Sequence, residues 1–320
     1  MVIRESLISI IMSIYKEPFI WVMETLDSIV HQTYRNMELI IIVDNPNCIF
    51  LSQLKDELEK IDFPIKLIIN KENLGLVESL NLGIQMARGC YLARIDADDV
   101  MLPDRLKKEM FFLKNNDLDF VASSVSSIDE NDRHIKSNSI HHNLVGTQVL
   151  KLEKINNFFW HPTWLARKEI FTNLSAYRNI PAVEDYDFVA RSLVYGYKLG
   201  MMKDKLVKKR ANPNSISSVN AHRQFLISKV IRKNLRHDKI TSEEEIRKAI
   251  SMSRSIRERK HYVVAKRIVD RITLNNNKFQ LILFGIQFLF LIFFSYYVRE
   301  LFVDKCKQRF LFSMTRMIQY

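Results

Sequence analysis

The chain has 320 residues, a formal net charge of +12, 47% apolar and 26% charged residues. That length holds one large α/β domain and an appendage but not two full catalytic domains, and the composition excludes wholesale disorder and a polytopic membrane protein. The charge is uneven: Lys229 to Arg271 carries 14 lysines and arginines against 6 acidic residues, two thirds of the whole excess. Such a patch is either a solvated helical face or a surface for polyanions such as anionic lipid head groups or nucleic acid.

Cys48, Cys90 and Cys306 lie far apart with no C-x-x-C spacing, which predicts neither a disulfide framework nor a thiolate zinc site and points to a reducing compartment. The first fifteen residues carry Arg4 and Glu5 and no small-residue cleavage site, so they read as a strand and not as a signal peptide.

In chain order, Leu7 to Ile14 and Glu38 to Val43 are β-rich runs, with helical periodicity from Phe19 to His31 between them. Helices follow over Lys55 to Ile61 and Val77 to Ala87, and strands over Ile65 to Ile69 and Cys90 to Ile95. Alternation of this kind builds a mostly parallel sheet covered on both faces. Ligands bind beyond the carboxyl ends of such strands, which is where Asp44 and Asp96 stand. Past Phe111 the pattern loosens. A strand is predicted over Phe120 to Val125, a polar loop or β-excursion over Ser126 to Asn143, helices over Leu144 to Ile155, Lys168 to Phe171 and Glu184 to Tyr195, and a strand over Lys198 to Lys208.

Ser242 with Glu245 three residues on is a capping box, so a helix starts there and runs through the basic stretch. Phe279 to Val298 is 20 residues without a charge, long enough to span a hydrocarbon core of ~30 Å. A spanning helix, a helix lying in the interface and a buried docking helix all satisfy it, and Lys and Arg at both ends give no orientation.

Two acidic groups stand out. Asp96-Ala97-Asp98-Asp99, with Arg94 before it, presents carboxylates straight after an apolar strand, a set suited to hard divalent ions. Glu184-Asp185 opens a helix, where a carboxylate either faces a cleft as a general base or complements the helix dipole. His161, between Trp160 and Trp164, suits a sugar platform or a packed core. G-x-G-x-x-G, G-x-x-x-x-G-K-[ST], H-E-x-x-H and G-x-S-x-G are all missing from the sequence, which removes motif support for dinucleotide, P-loop, zinc-protease and hydrolase readings.

Taken in order, Ile8 to Glu17, Leu26 to Tyr34, Glu38 to Asp44, Asn73-Leu74-Gly75-Leu76, Asn81-Leu82-Gly83, Ala87-Arg88-Gly89, Asp96-Ala97-Asp98-Asp99, His161-Pro162-Thr163 and Glu184-Asp185 resemble the family-two glycosyltransferases of the GT-A fold, over about residues 6 to 220. The resemblance implies an α/β catalytic domain over residues 1–220; the charge excess and the uncharged stretch make residues 221–320 an expected helical, basic and apolar membrane-associating tail. It implies that Ser13, Tyr15, Glu17, Asp44, Asn73, Asn81, Arg94, Asp96, Asp98 and Arg210 bind the sugar nucleotide. Asp98 and Asp96 would ligate manganese or magnesium, and Asp185, with Glu184, would be the catalytic base. Two departures stand out: Asn45-Pro46-Asn47 follows Asp44, and Asn212 stands where many members have histidine.

The expectation is therefore an inverting, metal-dependent transfer from a nucleotide-diphosphate sugar, UDP-linked, to a glycan or lipid-linked acceptor in lipopolysaccharide, O-antigen or capsule synthesis. Its expected place is the cytoplasmic face of the bacterial inner membrane, held by an anionic surface. A nucleic-acid-binding protein and a non-catalytic membrane scaffold are the alternatives. Tyr262 as the sole aromatic ring of the basic stretch argues against base stacking, so no nucleic-acid partner is expected.

Overall fold

The computed structural model describes residues 5–135, 140–180, 182–211, 220–253, 255, 259–266, 296–297, 299–304 and 306–307. The first half alternates as expected: β1 (Ile8–Ile14), α1 (Phe19–Val30), β2 (Met37–Val43), α2 (Leu51–Leu58), β3 (Ile65–Ile69), α3 (Leu76–Met86) and β4 (Tyr91–Asp96). There follow β5 (Val100–Met101), α4 (Arg105–Asn115), β6 (Phe120–Ile128), β7 (His134–Ile135), β8 (Leu144–Val145) and α5 (Thr147–Glu153). A 3-10 turn at His161–Thr163 leads into β9 (Leu165–Arg167), α6 (Lys168–Asn173), α7 (Glu184–Val194), β10 (Leu199–Arg210), α8 (Ala221–Arg236) and α9 (Glu243–Ser253).

One sheet runs in the order β3, β2, β1, β4, β9, β6, β10, β5, with β7 paired to β6 and β8 to β10. Strands β1 to β4 are parallel neighbours, β6 and β10 are parallel, and β9 is inserted antiparallel between β4 and β6. Every residue of β2 is buried, as expected of a strand covered on both faces. Its alternate side chains divide between two cores: Leu39, Ile41 and Val43 meet Leu26, Leu54 and Leu106, while Ile40 and Ile42 meet Val77, Leu80 and Phe188.

Register sets the site. Ser13 pairs with Ile42 on one side and Asp96 on the other, so the carboxyl ends of β1, β2 and β4 finish level and deliver Ser13, Asp44 and Asp96 to one edge. At the opposite end, Gly89 packs so closely on β1 that a Cβ there would lie 2.7 Å from Leu7 O, Ser9 N and Ser9 Oγ. Its N–H donates to Ser9 Oγ at 2.8 Å, and the buried Glu38 accepts from Ser9 Oγ and Arg88 N.

Several boundaries differ from the sequence-based expectation. Leu144 and Val145 form a short strand on β10, and the helix starts only after Gly146, whose φ is +54°. Helix α4 and strand β9 carry too little periodicity to announce themselves; β9 has three residues, and α4 buries Arg105 and Glu109 along with its apolar face. The capping box forms: Ser242 N donates to Glu245 Oε2 at 3.0 Å and Glu245 N to Ser242 Oγ at 3.2 Å. The basic stretch is not one helix, because α8 precedes α9. Both pack on α7, where Ile227, Ile231, Leu235, Ile246 and Ala249 share a core with Val183, Tyr186 and Ala190.

Of the uncharged stretch Phe279 to Val298, only Tyr296 and Tyr297 are described; the rest lies outside the described residues. Among the described residues no helix is long and apolar enough to cross a membrane.

Candidate active site

β4 ends at Asp96 and the chain turns at once, with Asp99 N donating to Asp96 O. The turn packs three carboxylates together: one oxygen each of Asp96, Asp98 and Asp99 lies within 4.8 Å of the others. Thr25 Oγ1 donates to Asp99 O at 2.8 Å and Ser28 Oγ accepts from Met101 N at 3.1 Å, so α1 holds the turn from below. On the far side Arg210 N donates to Asp99 Oδ1 at 2.8 Å.

Two cations face this cluster. Arg94 is buried and ion-paired to Asp96; Lys209 Nζ is 3.8 Å from Asp96 Oδ2 and 4.0 Å from Asp99 Oδ2. Burial works to raise the Asp96 carboxyl, but Arg94 and then Lys209 override it and hold it below the ordinary value. Asp98 has the opposite outcome: burial, reinforced by repulsion from Asp96, pushes it up to about 6. Burial pushes Asp99 up to about 8, with Lys209 pulling the other way. Asp99 Oδ2 is buried with no hydrogen-bond partner among the described residues. Clustered carboxylates left this short of positive charge are the donor set a hard divalent ion requires, so the residues present fit the manganese or magnesium that the sequence suggests.

Arg94 also links this cluster electrostatically to the second acidic pair. Glu184 and Asp185 both feel its charge, as does His161. Glu184 is buried and pushed up to about 8, by burial first and Asp185 second. Burial raises Asp185 too, while Asn157 Nδ2 donates to its Oδ2 at 2.9 Å and Tyr186 N to its Oδ1 at 2.7 Å. His161 is driven well below its ordinary value by burial and shares a 2.7 Å hydrogen bond between Nε2 and Tyr177 Oη. Trp164 is core, 1% exposed and packed among Phe120, Tyr177 and Phe188; Trp160, 36% exposed, is the ring left available to a ligand.

The model of "Glycosyl transferase family 2" matches residues 9–175. This chain belongs to that family. A glycosyltransferase of Methanocaldococcus jannaschii, described only as uncharacterized, is 33% identical over 211 residues, covering 64% of this chain and 70% of the relative. The O-antigen biosynthesis glycosyltransferase WbnJ of Escherichia coli is 32% identical over 188 residues, covering 58% and 72%. Among solved structures, S. aureus TarS 1-349 in complex with UDP-GlcNAc superposes with a TM-score of 0.61 at 14% identity, covering 83% of this chain and 80% of that one. That likeness confirms the GT-A arrangement of the sheet.

Within this glycosyltransferase, the expected site residues divide into three groups. Ser13 pairs with Asp96, and Arg94, Asp96, Asp98, Glu17, Glu184 and Asp185 are linked electrostatically; Glu17 lies close enough to act on the Asp98 carboxyl and accepts from Tyr15 N at 2.6 Å. Tyr15 and Asn73 are exposed on loops at the same edge. Three others are engaged with the protein itself. Asp44 accepts from Asn70 Nδ2, Leu74 N and Gly75 N at 2.7 to 2.8 Å, which ties the 70–75 loop to β2. Asn81 exchanges hydrogen bonds with the Tyr177 backbone at 3.0 and 3.1 Å, so its side-chain amide positions Tyr177.

Arg210, expected at the diphosphate, differs most. Its side chain is 1% exposed and spent on Glu24 at 2.5 Å, Asp132 at 2.8 Å and Asp98 O at 3.1 Å, with the guanidinium 5.0 Å over the Trp21 ring. It braces the acidic turn. The cation at the carboxylates is its neighbour Lys209. Strand alternation on β10 sends adjacent residues to opposite faces, so choosing Arg210 for the buttress put Lys209 in the site. Asn212 lies outside the described residues. Arg105 and Glu109 were also missed: this fully buried pair supports β4 from behind, with Arg105 Nη2 donating to Arg94 O at 2.9 Å.

Proposed function

We propose that this glycosyltransferase moves a sugar from a nucleotide-diphosphate donor, UDP-linked, to a glycan or lipid-linked acceptor with inversion of the anomeric carbon. We place that reaction in the assembly of a cell-surface polysaccharide at the cytoplasmic face of the inner membrane. The observation that carries the chemical reading is the convergence on Arg94 of two acidic groups from distant parts of the chain, Asp96-Asp98-Asp99 and Glu184-Asp185. The role of WbnJ in O-antigen biosynthesis and the UDP-GlcNAc in the TarS complex support the polysaccharide and donor assignments.

In this reading Asp98 and Asp96, with Asp99 behind them, hold a manganese or magnesium ion. When bound, that ion supplies positive charge for the departing diphosphate. Lys209 and Arg94 line the same edge and offset charge on the phosphate side. Burial, reinforced by Asp185, pushes Glu184 up to about 8 and favours its protonated form, which leaves the base role to Asp185. Asp185 takes the proton of the acceptor hydroxyl as that oxygen bonds to the anomeric carbon and the bond to the diphosphate breaks. Its raised affinity for protons suits it to the task. Asn157 and the Tyr186 N–H fix the orientation of the carboxylate.

The test is nucleotide release from a panel of UDP, GDP, TDP and CMP sugars with manganese, magnesium or chelator. Release from one donor should need metal and vanish in Asp98→Asn. Asp185→Asn should keep donor binding and lose at least ~100-fold in transfer, the lower end of general-base contributions. Transfer by Asp185→Asn at the wild-type rate would sink the assignment of the base.

A further inference from the structure

Helix α5 ends at Glu153, and the last carbonyls of a helix find no partner within it. Here three successive ones are met by side chains of α7 and α8. Tyr186 Oη donates to Glu153 O, Arg236 Nε to Lys154 O at 3.1 Å and Arg232 Nη1 to Ile155 O at 3.0 Å. Two cations at a helix C-terminus also complement its dipole. The buried Glu153 side chain accepts from Phe158 N at 2.9 Å, so the chain between α5 and Phe158 is a loop pinned along its length. Arg232 is itself held. Its guanidinium is nearly buried, and Nη2 forms an ion pair with Asp304 Oδ2 at 2.9 Å. One rigid fork therefore joins the 299–304 segment to the loop that leaves α5.

That loop carries Asn157 to the base. Asn157 Oδ1 accepts from Phe159 N at 3.2 Å, which decides which end of the amide faces the site: its Nδ2 donates to Asp185 Oδ2 at 2.9 Å. With Tyr186 N on Oδ1 at 2.7 Å, each oxygen of the Asp185 carboxylate holds one donor, and its rotation is fixed. Tyr186 N belongs to the same helix as Asp185 and moves with it; Asn157 does not. A shift of the loop by about 1 Å would take the Asn157 bond beyond hydrogen-bonding distance. The backbone contact of Arg232, two residues before Asn157, opposes that shift.

We propose that Arg232 is a positioning residue for transfer: it holds the 154–157 loop so that Asn157 keeps the Asp185 carboxylate aimed at the acceptor hydroxyl, and Asp304 holds Arg232. The proposal rests on Asp185 as the base and deepens that reading. It makes a residue far along the chain from the acidic pairs part of what sets the rate, through contacts that touch neither donor nor acceptor.

A double-mutant cycle on the full-length chain tests it, with Asn157→Ala, Arg232→Ala and the two combined, and turnover read as nucleotide release from the sugar donor that wild type uses. Each single variant should lower kcat by about 10- to 100-fold, the range of a misplaced catalytic group, with donor affinity by calorimetry unchanged. Because Arg232 acts through Asn157, the combined variant should be within about twofold of Asn157→Ala alone. If Arg232→Ala costs the same factor in both backgrounds, or weakens donor binding with kcat unchanged, it supports the fold and the proposal is overturned. Should Arg232→Ala fail to fold by circular dichroism, Asp304→Asn takes its place in the cycle, with an expected loss in kcat of about three- to tenfold that again disappears beside Asn157→Ala; a loss that persists there would overturn the proposal equally. Hydrogen exchange gives a readout free of substrate: amides 155–159 should exchange faster in Asp304→Asn while those of β1 to β4 do not change, and unaltered exchange at 155–159 would refute the link to Asp304. Asp185→Asn is measured alongside. If it loses transfer while the cycle is additive, only the role of Arg232 falls; if it transfers at the wild-type rate, the base assignment falls first.

Discussion

Asp44→Ala probes how the nucleotide edge is built. The Asp44 side chain is almost fully buried, 2% exposed, and accepts three hydrogen bonds, from Asn70 Nδ2, Leu74 N and Gly75 N. Bonds to a charged acceptor contribute roughly 1.5 to 3 kcal/mol each, but the loss is softened here. Asn70 keeps a second partner in Ser79 Oγ at 3.0 Å, and the two loop amides are part-buried and within reach of water. We therefore expect a cost of about 2 to 4 kcal/mol, or roughly 5 to 15 °C in Tm for a domain of this size. Asp44→Asn keeps one oxygen and should cost about half as much. Urea unfolding followed by fluorescence measures the stability, and calorimetry with the donor measures the loop: affinity should fall by about tenfold, 1.4 kcal/mol, because the 70–75 segment is no longer tied to β2. If Asp44→Ala unfolds within about 0.5 kcal/mol of wild type, the range of an ordinary surface substitution, and binds donor equally well, the loop-anchoring argument is wrong.

Gly89→Ala forces a Cβ to 2.7 Å from two backbone atoms and Ser9 Oγ on a strand held from both sides by β2 and β4; a loss of about 3 kcal/mol is expected in denaturant unfolding, and an unchanged midpoint would contradict the packing. Glu109, raised to about 7 by burial, binds its proton more tightly folded than unfolded. Its contribution to stability is therefore complete below about pH 4.5 and is lost as pH rises through 7, at up to about 1.4 kcal/mol per pH unit. Glu109→Gln should flatten that part of the stability profile, and an unaltered slope would show that another group titrates. Arg210→Lys cannot reach Glu24, Asp132 and the Asp98 carbonyl at once; a stability loss of about 2 kcal/mol should accompany weaker manganese binding by calorimetry, and unchanged metal affinity would deny the buttress its role.

The sequence by itself determined the alternating βα plan, the family and the two acidic groups, because parallel strands buried on both faces must be written as unbroken runs such as Leu39-Ile40-Ile41-Ile42-Val43, and turn carboxylates after such runs stay recognisable in any fold. The capping box at Ser242 was legible for the same local reason. Helix α4 and strand β9 were not, since the helix carries a buried ion pair and the strand is three residues long, with a logic that exists only in contact with β4 and β6. Nor could the chain order reveal which of Lys209 and Arg210 faces the carboxylates, or that Asp44 and Asn81 hold loops, because those assignments depend on register and on partners up to 186 residues away.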